Sequence, residues 1–155
     1  MCSSDLESQP LNQQWQEIWQ ITQQLGDKSS DWWRQVGCVL LLKTGEMIAT
    51  YNRHLPDNHT PYIVGDVRSQ FHAGEHFELT SAIHAEAAAI AQAAKKGLST
   101  IGASMMVTDF PCPVCAKLIA ASGIKTLYYQ RGYAVLDGEE ILRSFGIKII
   151  KITNE

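Results

Sequence analysis

A chain of 155 residues suits one domain with a single core, and 45% hydrophobic with 19% charged residues is the balance of an ordinary folded protein, not a disordered or fibrous one. The formal net charge of −3, from 13 basic and 16 acidic residues, argues against a dedicated nucleic-acid surface. No apolar run approaches membrane-spanning length, and the first ten residues are polar without an apolar signal core, so the expectation is a cytoplasmic protein with no membrane partner.

Residues 1–10 read as a disordered start, and residues 11–155 as one domain. From Leu11 to Leu25 the chain reads as a helix, because Leu11, Trp15, Ile18, Trp19, Thr22 and Leu25 form one stripe at three-and-four spacing, and Gly26-Asp27 is expected to end it. Val36 to Leu42 is an apolar, β-branched run. Lys43 to Glu46 turns and Met47 to Tyr51 returns, which predicts a hairpin. Residues 52–81 form a long irregular stretch with prolines and glycines, the kind of loop that usually has a task. A helix is expected over His84 to Lys96, a strand over Ala103 to Thr108 and a helix over Pro113 to Ser122. A strand over Thr126 to Tyr129, a helix over Asp137 to Phe145 stopped by Gly146, and a strand over Ile147 to Ile152 complete the order. That order predicts a five-stranded mixed sheet flanked by helices, an α/β fold built as a three-layer α-β-α sandwich.

Two short segments carry the chemistry: His84-Ala85-Glu86 and Pro111-Cys112-Pro113-Val114-Cys115. Cys112 and Cys115 are three apart, so on the first turn of a helix both sulfurs face one side. His84 completes three ligands. A catalytic zinc takes three protein ligands and keeps a fourth position for water. The remaining cysteines, Cys2 and Cys38, have no cysteine neighbour at chelating spacing, so local pairs do not supply a closed four-cysteine site. Glu86 lies two positions after His84, where regular helix would point the side chains apart. They converge only if His84 stands at the helix start, which the alanine-rich run after it favours. Helix starts also stabilise thiolates. Glu86 is then the catalytic candidate, a carboxylate beside the metal that moves a proton from water to a ring nitrogen and on to a leaving amine.

The paired motifs match the signature of zinc nucleobase deaminases, and from about Arg34 to the end the chain resembles the cytidine and deoxycytidylate deaminase superfamily, closest to its dCMP branch. The resemblance is carried by Arg34-Gln35-Val36-Gly37-Cys38-Val39, Tyr51-Asn52, His84-Ala85-Glu86, the stretch Phe110 to Ile119, and Ser122-Gly123-Ile124. It implies a zinc cofactor and a small nucleotide or nucleoside substrate, with dCMP first. It also implies a hydrogen bond from Asn52 to the substrate, the Ala85 backbone facing the base edge, and Tyr128 and Tyr133 lining the site. Arg34 and Arg131 become candidates for a phosphate, which suits their planar forks. Homo-oligomers, dimers or larger, are implied by the resemblance alone.

The chain also departs from the family. Arg53 and His54 stand where a glycine usually follows Tyr-Asn, Trp32-Trp33 replace small polar residues, and Cys38 replaces an alanine. Core packing is the default for the tryptophans, and an inert buried thiol for Cys38. His59, His72 and His76 in the long loop read as surface histidines. Competing functions are a nucleoside or free-base deaminase, a tRNA adenosine deaminase that the acidic balance disfavours, and a metal-holding non-catalytic relative that retention of Glu86 disfavours.

Overall fold

The computed structural model describes residues 7–9, 13–29, 34–55, 82–132 and 138–153. Leu11, Trp32, Trp33, His59, His72, His76 and Tyr133 lie outside these residues, as does most of the long loop. Among the described residues, eight strands and four helices follow one another: β1 (Glu7–Gln9), α1 (Gln13–Asp27), β2 (Gly37–Leu41), β3 (Met47–Tyr51), β4 (Arg53–His54), β5 (Ala82–Ile83), α2 (Ala85–Lys95), β6 (Ser104–Asp109), α3 (Pro113–Ala121), β7 (Thr126–Arg131), α4 (Gly138–Ser144) and β8 (Lys148–Ile152). The main sheet runs in the order β1-β8-β7-β6-β2-β3. β2 pairs antiparallel with both β3 and β6, while β6, β7 and β8 are mutually parallel. The mixed sheet expected from the sequence is therefore present, with its five strands in place. One short strand is added: Glu7–Gln9 pairs parallel with Ile150–Ile152, inside the stretch expected to be disordered. Backbone pairing needs no hydrophobic pattern, and a polar Glu-Ser-Gln segment gives none to read.

Strand alternation sorts the core into two layers. On one face Leu40, Met105, Val107, Leu127 and Ile149 pack against Ala85, Ala89 and Ala93 of α2, Ala116 and Ile119 of α3, and Leu142 of α4. On the other face Val39, Met106 and Ile152 meet Ile18 and Trp19 of α1, with Trp15, Leu25 and Tyr128 partly buried beside them. The α1 stripe is thus the one its spacing predicts. Its end differs from expectation, because the helix runs through Gly26 to Asp27. Gly26 is buried in the last turn, where a Cβ would come within 3.3 Å of the Gly37 backbone nitrogen. The glycine serves close approach of helix to strand instead of termination. The small side chains on α2 let that helix lie close to the sheet in the same way. A second, two-stranded ribbon pairs Arg53 with Ile83 and His54 with Ala82, immediately before His84. Among the described residues, no helix is long and apolar enough to cross a membrane.

Candidate functional site

The two candidate metal-binding segments arrive by the same local device, a strand that ends in extended backbone and turns into a helix. His84 is the residue before α2, with φ −68° and ψ 147°. Cys112 is its counterpart before α3, with φ −64° and ψ 163°, and Pro113 follows it at the first helical position, where its missing N–H costs nothing. Neither residue caps its helix with its side chain, and the two side chains turn towards each other. The ligand atoms of His84, Cys112 and Cys115 lie within 4.8 Å of one another. His84 Nδ1 is 3.6 Å from Cys112 Sγ and 3.3 Å from Cys115 Sγ. In a tetrahedral zinc site, metal–sulfur and metal–nitrogen bonds of about 2.3 and 2.0–2.1 Å put sulfur and nitrogen roughly 3.6 Å apart. The donors therefore fit a zinc ion in both type and spacing.

Glu86 stands on the first turn of α2 and is 4% exposed. Burial raises its carboxyl above the ordinary range, opposed by interactions with the Cys115 thiol and with His84. Interaction with the neighbouring Cys115 thiol lowers the Cys112 thiol below its ordinary range, whereas the same interaction together with burial raises Cys115. Cys38 lies in β2 beneath this site, fully buried, its thiol pushed up by desolvation first and by Glu86 second.

One contact was not legible in the sequence. Thr50, buried on β3, donates its hydroxyl to the carbonyl of Ala85 at 2.8 Å. It grips the residue between the candidate ligand His84 and Glu86. No spacing rule links positions 50 and 85; only the β3–α2 packing does.

The other expected substrate residues fall in three places. Asn52 is 6% exposed, and its amide is occupied at both ends: Oδ1 accepts the Val36 N–H at 2.8 Å, and Nδ2 donates to the Arg34 carbonyl. It braces the chain ahead of β2. Tyr128 is not brought to the donor cluster. It stacks at 4.7 Å and 31° on Trp15, on the α1 face of the sheet. The two-residue period of a strand is the reason: its neighbours Leu127 and Tyr129 take the α2–α3 face, where Tyr129 meets Phe110 edge-on at 4.9 Å. Arg34 and Arg131, 97 positions apart in sequence numbering, converge on one carboxylate, Asp109, at 2.8 and 2.9 Å. Asp109 had no sequence signal beyond its place three residues before Cys112.

Comparison with known proteins agrees with this architecture. Deoxycytidylate deaminase of Enterobacteria phage T2 is 44% identical over 90 residues, 56% of this chain and 48% of that protein. ComE operon protein 2 of Bacillus subtilis (strain 168) is 39% identical over 71 residues, 45% of this chain and 38% of that protein. The chain spans about half the length, or less, of these curated relatives. Apo dCMP deaminase from the cyanophage S-TIM5 shares the fold, with a TM-score of 0.67 at 23% identity over 91% of this chain and 99% of that one. Residues 12–131 match the family described as the cytidine and deoxycytidylate deaminase zinc-binding region, and this chain belongs to that family.

Proposed function

We propose that this chain removes the amino group of a pyrimidine nucleotide by hydrolysis, converting dCMP to dUMP and ammonia, with zinc held by His84, Cys112 and Cys115. The observation that carries this reading is the meeting of three donors at tetrahedral spacing beside one buried carboxyl. A zinc ion held by these three residues would lower the pKa of a water and so supply the attacking oxygen near neutral pH. Glu86 takes the proton released by that water, delivers it to the ring nitrogen, and later returns a proton to the departing amine. The water oxygen bonds to the amine-bearing carbon, the carbon–nitrogen bond breaks, and ammonia leaves. Burial favours this role, because a carboxyl with raised proton affinity is better matched to transfer near neutrality. The Ala85 carbonyl is engaged by Thr50, whereas an N–H at a first helical position has no acceptor in its own helix. That N–H is the group we assign to the base edge. Self-association belongs to the same proposal. Val114 and Leu118 stand exposed on α3 and offer it an apolar face, and sedimentation velocity over a concentration series tests it.

The decisive experiment incubates zinc-loaded protein with dCMP, deoxycytidine, cytidine and guanine and follows ammonia. Release from dCMP supports the reading. Release only from guanine or only from nucleosides replaces the substrate, and no release from any of them, with zinc bound, removes the enzyme.

A further inference from the structure

β3 is the last strand of the main sheet, and among the described residues no strand lies beyond it. Its ladder with β2 is unbroken from the Gly37–Tyr51 pair to the Leu41–Met47 pair. At one end of that ladder the Leu42 N–H bonds the Glu46 carbonyl at 2.8 Å, and at the other the Asn52 N–H bonds the Val36 carbonyl at 3.1 Å. Bonded pairs alternate along an antiparallel ladder, so Ile48 and Thr50 turn their N–H and C=O groups to β2. Met47, Ala49 and Tyr51 therefore turn theirs to the open edge. The side chains alternate as well. Ile48 and Thr50 are buried on the α2 face, whereas Met47 is 48% exposed, Ala49 is exposed and Tyr51 is half-buried.

An open row of N–H and C=O groups pairs with the strands it meets, and folded proteins blunt such edges with charge, proline, a bulge or short length. The opposite edge of this sheet is blunted: β1 is 3 residues long and carries Glu7. β3 has 5 residues, with no charged side chain, no proline and no bulge. Its own sequence says what fits it. Two copies related by a two-fold axis at Ala49 meet antiparallel, and each outward N–H then faces an outward carbonyl. Met47 of one copy lies opposite Tyr51 of the other, a thioether against an aromatic ring. The exposed Glu46 comes beside the exposed Arg53 of the second copy, so the charges flanking the joint are opposite. A parallel joint would set Glu46 beside Glu46. The antiparallel contact uses the same patch on both copies, so it closes as a dimer and builds no fibre.

We propose that two copies of this chain join through β3, antiparallel about Ala49, so that their main sheets become one continuous sheet. This interface is separate from the apolar α3 face, and it does not depend on the deamination reading.

Backbone amide exchange of the zinc-loaded protein, followed by NMR over a concentration series, reads the edge without any substitution. The Met47, Ala49 and Tyr51 amides should exchange about ten-fold more slowly where sedimentation velocity shows dimer than where it shows monomer. Ala49→Pro removes an N–H that β2 does not use, so it spares the chain's own ladder and deletes both central bonds of the joint. Ala49→Lys sets two like charges opposite each other across the axis. Each variant should raise the dimer dissociation constant about ten-fold or more. Leu118→Lys, on the α3 face, should leave the β3 amides protected. Unchanged association in both Ala49 variants, or equal exchange of the three amides at every concentration, overturns the proposal. Loss of association in Leu118→Lys alone moves the interface to α3 and does the same. A chain that is monomeric at every concentration also overturns it, and leaves the edge to a strand of another protein. Because Ala49 is exposed, Ala49→Lys decides the matter even if Ala49→Pro does not fold.

Discussion

Glu86 and its surroundings can be taken apart one atom at a time. Glu86→Gln keeps the size and polarity of the buried side chain but cannot carry a proton. Turnover should fall about 10²–10⁴-fold while zinc content stays at one per chain, read by ammonia release and metal analysis. Full activity would remove Glu86 from the mechanism. Cys112→Ala removes a thiolate that its neighbour already stabilises, and the variant should retain no stoichiometric zinc after dialysis. Thr50→Val deletes only the hydroxyl that holds the Ala85 carbonyl. A buried carbonyl that loses a partner costs about 1–3 kcal/mol, and here the loosened peptide lies between His84 and Glu86. A fall in kcat larger than any change in KM is expected, with Thr50→Ser restoring it. Equal behaviour of valine and serine would leave Thr50 a packing residue. The contrast between Glu86 and Thr50 also shows what the sequence could reveal. His84, Glu86, Cys112 and Cys115 announce themselves through spacings of two and three. Thr50 reaches Ala85 across 35 positions and Arg34 reaches Asp109 across 75, separations for which no local periodicity exists.

At the level of elements, the site depends on how closely α1 and α2 lie against the sheet. Gly37 opens β2, and a Cβ there would stand 2.0 Å from the Thr22 carbonyl oxygen and 2.6 Å from the Gly26 nitrogen. Both atoms are backbone, so neither can swing aside. Gly37→Ala should therefore shift α1 or β2 bodily, at a cost of about 3 kcal/mol or more, seen as a lower urea midpoint. A midpoint within error of the parent would mean that α1 moves freely over the sheet. The Thr108 hydroxyl meets the Gly37 N–H at 3.2 Å, so displacement of β2 also reaches the end of β6 and the carboxylate beside it. Element type and order were legible because apolar periods switch cleanly between two and three-to-four along this chain. Side-chain direction at a strand end was not. Tyr128 and Tyr129 are equally aromatic, and only the pairing register decides which faces α1. Gly26 misled for a related reason, since a glycine at a helix end reads as a stop until the strand packed on it is known.

For the molecule as a whole, the donors tie together elements that are far apart in the chain. His84 precedes α2, and the cysteines, 28 and 31 positions later, begin α3. Three donors converge only when both helices are docked on the sheet, so a metal that needs all three binds the folded chain far better than the unfolded one. Mass action then makes stability depend on free zinc. At a hundred times its dissociation constant the ion contributes about 2.7 kcal/mol. For a chain of this size that raises the melting temperature by about 5–11 °C, and each further tenfold adds a constant increment. Melting curves at buffered zinc concentrations should show that logarithmic rise in the parent and in Glu86→Gln, which keeps every donor, but a flat line in Cys112→Ala. A rise that survives loss of Cys112 would place the ion elsewhere. A flat line in the parent would mean that the three donors, though correctly spaced, do not hold zinc tightly enough to act as one centre.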